Sequence, residues 1–122
     1  MADAGTSIAR LKKRSEFLAC AQGPSSAKGA VVVQARPRGD DSDLIRVGFT
    51  ATKRIGGAVE RNRAKRRMRE AARLLLPEHG LPGHDYVLIA RGGTISRPWP
   101  RLLDDVKSAL IRLAAERATP QV

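Results

Sequence analysis

The sequence predicts one small α/β sandwich (an α+β layer fold) with the element order α-β-β-α-β-α, and three observations carry that prediction. A chain of 122 residues fits a single domain, one that buries about two-thirds of its extended surface. Short β-branched or alternating runs at Ala30–Arg36, Leu44–Thr50 and Tyr86–Ala90 are interspersed with longer segments of helical period near Ala58–Leu76 and Pro98–Ala118. No internal repeat or Gly/Ser/Pro-rich linker divides the chain, so residues 10–118 are expected to form one folded unit between a flexible N-terminus, residues 1–9, and a C-terminal tail, residues 119–122.

The elements follow in order. Ser15 is the expected N-cap of a short first helix carrying Phe17, Leu18, Cys20 and Ala21, which Gly23-Pro24 ends. The polar stretch Pro37–Asp43 between the first two strands predicts an antiparallel hairpin with a long loop. In the next segment Ala64, Met68, Ala71, Ala72 and Leu75 fall on one arc of about 100°, which predicts an amphipathic helix that Pro77 stops. Tyr86–Ala90 is short and apolar enough for a central strand. After a Gly- and Pro-rich loop, the last helix places Leu102, Leu103, Val106, Leu110, Leu113 and Ala114 on one stripe, with Asp104, Asp105, Lys107, Arg112 and Glu116 off it.

Charge narrows the function. The chain has 23 Lys and Arg against 12 Asp and Glu, a net +11, and a phosphate polymer is the commonest partner that relieves such self-repulsion. Most of the excess lies between Lys53 and Arg73, where nine basic residues (Lys53, Arg54, Arg61, Arg63, Lys65, Arg66, Arg67, Arg69, Arg73) face two acidic ones, Glu60 and Glu70. Asn62, Arg66, Arg69 and Arg73 centre on the helix side opposite the apolar arc, so this helix has a core face and a phosphate-binding face. A solvated helix would interleave Glu with Lys; this one does so little that it expects an external anion. Gly56-Gly57 before it frees the backbone for a tight turn. A smaller cluster, Arg10, Lys12, Lys13 and Arg14, precedes the first helix.

Other chemistries find little support. A protein nuclease needs clustered carboxylates or a positioned acid and base. Asp40, Asp41 and Asp43 read as a solvated loop, and Asp104 and Asp105 as a solvated helix face. His79 and His84 sit in turn segments with no Ser, Cys or carboxylate motif beside them, and no metal-ligand spacing is present. The single Cys20 cannot form an internal disulfide and reads as a small buried side chain. With no apolar run of about 18 residues and no leader pattern, neither a membrane nor a secreted setting is expected, and the cytoplasm is. Composition alone leaves a general structured-RNA-binding module of ribosomal type, or a DNA-binding module, as alternatives.

Spacing adds a resemblance. Lys53–Glu70, KRIGGAVERNRAKRRMRE, resembles the signature of the bacterial ribonuclease P protein family, whose RNR motif stands here as Arg61-Asn62-Arg63, followed by Lys65-Arg66 and Arg69-Glu70. Arg10–Phe17, Arg46–Thr52 and Asp85–Arg91 fit in the same order, so the resemblance spans nearly the whole chain. It implies an α/β sandwich with a left-handed βαβ crossover, in a subunit that binds the catalytic RNA of a ribonucleoprotein. That particle removes the 5′ leader of precursor tRNA by Mg²⁺-dependent hydrolysis, the active site and most of the Mg²⁺ lying with the RNA and its substrate. By the resemblance Arg61, Asn62, Arg63, Lys65, Arg66 and Arg69 meet RNA, a set that the basic cluster extends to Lys53, Arg54, Arg67 and Arg73, while Phe17, Val33, Thr52 and Lys53 line a cleft for the leader; no catalytic or metal-binding residue is implied in the protein, and no obligate protein partner. Ala21 and Val33 stand where the family often has aromatics, and Gly57 where it has Asn, so stacking in the cleft is expected to rest on Phe17.

Overall fold

A computed structural model describes residues 7–118. Its elements are β1 (Ile8–Arg10), α1 (Arg14–Ala21), β2 (Ser25–Lys28), β3 (Val31–Pro37), β4 (Ile45–Thr50), α2 (Ala58–His79), β5 (His84–Ala90) and α3 (Trp99–Ala118). The five strands form one sheet in the order β1-β4-β5-β3-β2. Two of them, β1 and β2, are additional to the expected order. Both are short edge strands with no hydrophobic alternation, IAR and SSAK, so periodicity had nothing to detect. β1 also takes Ile8 and Ala9 out of the expected flexible terminus; residues 1–6 and the expected tail, 119–122, lie outside the described residues.

The expected hairpin is corrected as well. β3 and β4 are not neighbours, because β5 lies between them, antiparallel to β3 and parallel to β4. β5 is buried along nearly its whole length, and such a strand satisfies its backbone only with a partner on each edge.

α2 therefore crosses between two parallel neighbours, and the hand of that crossover follows from residue chirality. Viewed from the α2 side with β4 running upward, an L-residue whose side chain points at the viewer turns its N–H and C=O to the right. Ile45 and Val47 share the core with α2, and they bond to the β1 side: the Ile45 N–H donates to the Ser7 carbonyl at 3.0 Å, and the Val47 carbonyl accepts from the Leu11 N–H at 3.0 Å. With β1 on the right, β5 is on the left, so the crossover is left-handed, the uncommon hand.

The main core lies between one sheet face (Val31, Val33, Ile45, Val47, Phe49, Tyr86 and Leu88) and the inner stripes of α2 and α3, Met68, Leu76, Leu102, Val106 and Leu110 among them. α1 covers the other face over a smaller cluster of Leu11, Cys20 and Val87, with Phe17 and Ile89 packed on it.

Four local expectations change. α1 starts at Arg14 with Lys13 as N-cap, because the Glu16 carboxylate accepts the Lys12 and Lys13 N–H groups at 3.1 and 3.0 Å; Ser15 is already in the first turn. α2 runs past Pro77 to His79, since a proline in the last turn removes one backbone bond while the Gly80 N–H still closes on the Leu76 carbonyl at 2.8 Å. Leu76 rather than Leu75 is fully buried at that end. Asp105, expected on a solvated face, is buried: it accepts the Ala30 N–H at 3.0 Å and pairs with the Arg97 guanidinium at 2.8 and 3.0 Å, tying α3 to the sheet.

Candidate nucleic-acid interface

The outward face of α2 is built by its core face. Ala64, Met68, Ala71, Ala72 and Leu76 are buried, so Asn62, Arg63, Arg66, Arg69 and Arg73 are forced outward and exposed, with Arg61 and Lys65 half-buried at the flanks. Arg61, Arg63, Lys65 and Arg66 have no carboxylate within 4 Å among the described residues, and neither do Lys53 and Arg54 in the preceding turn. That turn depends on Gly56: its φ of +142° is disfavoured for other residues, and a Cβ there would lie 2.9 Å from the Cβ of Glu60.

Three cations of the expected RNA-facing set have intramolecular work. Arg67 donates to the carbonyls of Thr94, Ile95 and Arg97 at 2.6–2.7 Å, pinning the loop before α3. Arg73 pairs with Glu70, and that pairing holds the Glu70 carboxyl below its ordinary range. Arg69 lies 5.8 Å over the Phe49 ring, which Arg10 of the smaller basic cluster also covers at 5.9 Å.

On the opposite sheet face a groove runs beside α1. The Phe17 ring lies on Gly48 so closely that a Cβ there would be 2.4 Å from its Cε2 and Cζ. Ile89 packs in the same cluster and also lines a groove of about 600 Å³ with Thr52, Lys53, Arg54 and Arg91. Phe17, Thr52 and Lys53 are thus brought along one path. Val33 is not: it is buried under α2 and α3, and its strand neighbours Val32 and Gln34 belong to the α1 face, a one-residue parity error that moves a side chain across the sheet. Arg91 escaped the sequence reading, although its place after the Tyr86–Ala90 run puts it at the carboxyl end of a parallel strand pair, where such sheets gather ligands.

Ion pairs hold α1 on the sheet. The buried Asp85 carboxylate takes Arg46 at 2.7 and 2.8 Å and Arg38 at 2.9 Å, and Arg46 reaches on to Glu16 of α1 at 2.7 Å. Burial alone would raise the Asp85 pKa, but the hydrogen bonds and charges of Arg46 and Arg38 outweigh it and keep the carboxyl below its ordinary range. Glu16 is lowered too, by the Lys13 and Lys12 backbone N–H groups and then Arg46. Burial pushes the Cys20 thiol up to about 11, so it is inert at neutral pH. Asp40 is bound to Arg38 at 2.9 Å. Among the described residues no three His, Cys, Asp or Glu side chains gather as a metal site, and no helix is long and apolar enough to cross a membrane.

Comparison with known proteins points the same way. A family model described as Ribonuclease P matches residues 6–114. The chain is 67% identical over 107 residues to the ribonuclease P protein component of Caulobacter vibrioides, covering 88% of this chain and 72% of that one. It is 53% identical over 116 residues to the protein component of Ruegeria pomeroyi, covering 93% of each. The solved RNase P protein of Staphylococcus aureus superposes with a TM-score of 0.71 at 26% identity over 86% of this chain and 94% of that one. The one from Thermotoga maritima does so with a TM-score of 0.71 at 29% identity, over 84% and 96%.

Proposed function

This chain belongs to the ribonuclease P protein family, and from that premise we propose that the outward face of α2 binds the catalytic RNA while the groove from Phe17 past Ile89 to Lys53 holds the 5′ leader of precursor tRNA. As a family member the chain is the protein subunit of ribonuclease P, the tRNA-processing ribonucleoprotein, and the RNA of that particle is its partner. The observation that carries the proposal is the row of cations on α2, Arg61, Arg63, Lys65 and Arg66, which no carboxylate among the described residues neutralises. Neutralising phosphates there releases counterions and draws two polyanions together.

In this reading the protein's residues bind and position. Asn62 and the free guanidiniums of α2 dock on phosphates and sugars, Lys53, Arg54 and Arg91 follow the leader backbone, and the Phe17 ring offers one face to an unstacked base. The hydrolytic step belongs to the RNA, with Mg²⁺ held by the RNA and its substrate and supplying charge stabilisation and an activated water. The protein's cations screen part of the phosphate repulsion otherwise left to metal ions. Arg67 and Arg73 contribute by shaping and neutralising the surface rather than by free charge. The particle is placed in the cytoplasm.

The test is a precursor-tRNA cleavage assay with the protein alone, the RNA alone and both, across a Mg²⁺ series. The expected result is no cleavage by RNA-free protein and a lower Mg²⁺ requirement for the mixture. Arg66→Ala should keep its thermal stability, lose affinity for the RNA and flatten the salt slope by about one phosphate contact. Cleavage by rigorously RNA-free protein, or an unchanged salt slope in Arg66→Ala, refutes the assignment.

A further inference from the structure

The sole tryptophan of the chain stands at the first residue of α3, between Pro98 and Pro100. It is only half-buried. Part of the indole packs against the main core, and the Arg67 guanidinium lies 5.7 Å over the ring. The rest opens into a shallow groove of about 340 Å³ lined, among the described residues, by Arg66, Arg67, Glu70 and Trp99. Around the axis of α2 this groove is the flank of the outward face on the α3 side, so Trp99 borders the unpaired Arg66 directly.

Three features set this ring apart from an ordinary surface aromatic. Its position is fixed: the prolines restrict the backbone on both sides, the three carbonyls bound by Arg67 anchor the loop that leads into it, and part of the ring packs on the core. A ring held in place in the free protein loses little freedom when something stacks on it. The groove is also cationic, because its one carboxylate, Glu70, is already paired with Arg73. Lastly, an indole surface beside a phosphate-binding row is the combination by which proteins hold an unpaired base, cations on the backbone and an aromatic on the base face.

We infer that Trp99 is a base-stacking residue of the RNA interface, taking an unpaired nucleotide of the catalytic RNA whose phosphate is met by Arg66. The inference rests on the assignment of the α2 face to that RNA and extends the interface onto α3. The occupant is the catalytic RNA rather than the leader, since α1 and its groove lie on the other side of the sheet.

Because the chain has no other tryptophan, its own emission reports on the site. The protein is titrated with its cognate ribonuclease P RNA, and in a separate arm with precursor tRNA alone, following tryptophan emission and its quenching by acrylamide. Affinity is measured across a salt series for the parent chain, Trp99→Leu, Trp99→Phe and Arg66→Ala. The catalytic RNA should change the emission and shield the indole from acrylamide. Trp99→Leu should weaken binding by about 5- to 150-fold, the range one stacked base is worth, with an unchanged salt slope, and Trp99→Phe should recover most of that loss. A role confined to folding would lower the melting temperature of Trp99→Leu and leave the affinity of its folded fraction as in the parent. That result overturns the inference, as does an indole left open to acrylamide in the complex or shielded only by precursor tRNA. If Arg66→Ala behaves as expected while Trp99→Leu binds like the parent, this inference fails alone; if neither variant changes binding, the assignment of the α2 face fails with it.

Discussion

Replacing Gly48 by Ala tests the α1 groove through a single methyl group. The new Cβ would stand 2.4 Å from two carbons of the Phe17 ring and 3.3 Å from the Leu11 Cβ. Carbons in contact rest about 3.5–4.0 Å apart, so the ring has to withdraw by roughly 1 Å or more, and the sheet beneath leaves it only the direction of solvent. Overpacking of this kind costs about 1–3 kcal/mol; the lower half is expected, because the crowded atoms are the free end of a side chain. The same withdrawal spoils the platform offered to the leader. Stacking on an aromatic is worth about 1–3 kcal/mol per base. With Ala21 in place of a second ring, the preference of the complete enzyme for precursor over mature tRNA should fall by about 1 kcal/mol, close to fivefold. Urea denaturation and competitive binding of the two tRNA forms supply the measurements. Combining Gly48→Ala with Phe17→Ala isolates the cause: without the ring the methyl has room, so Gly48→Ala should then cost less than about 0.5 kcal/mol and leave the already reduced preference unchanged. A cost that is the same with and without Phe17, or an undiminished preference in folded Gly48→Ala, would refute the contact or the stacking role respectively.

Two further outcomes are expected. The folded-state pKa of Asp85 lies below its unfolded value of about 3.9, so its contribution is present in full above that value and is lost as pH falls through the lower folded one. Asp85→Asn, which takes the buried charge from between Arg38 and Arg46 and leaves them only Asp40 and Glu16, should destabilise the chain at neutral pH by about 3 kcal/mol. It should also show a shallower stability decline below pH 4 than the parent, and parallel declines in urea midpoints would contradict this. Arg67→Ala leaves three carbonyls without their donor and should cost about 1.5–3 kcal/mol in thermal denaturation while hardly altering the salt slope of RNA binding, the opposite of Arg66→Ala; a flattened slope would return Arg67 to the RNA-contacting set.

What was legible in the sequence is what depends on near neighbours in the chain. The period of Ala64, Met68, Ala71 and Ala72 places α2 and its outward cations, and Tyr86–Ala90 announces a buried strand. Parity and adjacency depend on partners far along the chain, which local pattern does not contain. Val33 and Val32 are chemically identical, and only the pairing of Val33 with Leu88 assigns it to the core face. β3 and β4 look like a hairpin because a polar loop joins them, yet β5, arriving some forty residues later, offers both a longer buried edge. Trp99 carries no periodic signal at all, being the first residue of its helix.

The charges show the same division, and here it bears on function. A count of Lys and Arg treats every cation alike, whereas the fold assigns carboxylates to some of them: Asp85 to Arg38 and Arg46, Glu16 to Arg46, Asp105 to Arg97. These pairs join residues 8 to 47 positions apart, beyond the i,i+3 and i,i+4 spacings at which helix neighbours pair. Each removes an arginine from the pool available to RNA and spends it inside the fold: Arg46 joins β4 to β5 and α1, Arg38 fixes the β3–β4 loop on β5, and Arg97 fixes the loop before α3 on that helix. Arg67 is removed without any acid, by carbonyls. The row left over, Arg61, Arg63, Lys65 and Arg66, lies on a stretch of helix whose own acids are Glu60 and Glu70, Glu78 standing in the last turn, and Glu70 is committed to Arg73. The excess charge is therefore a local property of one helix face, and the salt dependence of RNA binding should track substitutions there while remaining nearly blind to those at Arg38, Arg46, Arg67 and Arg97.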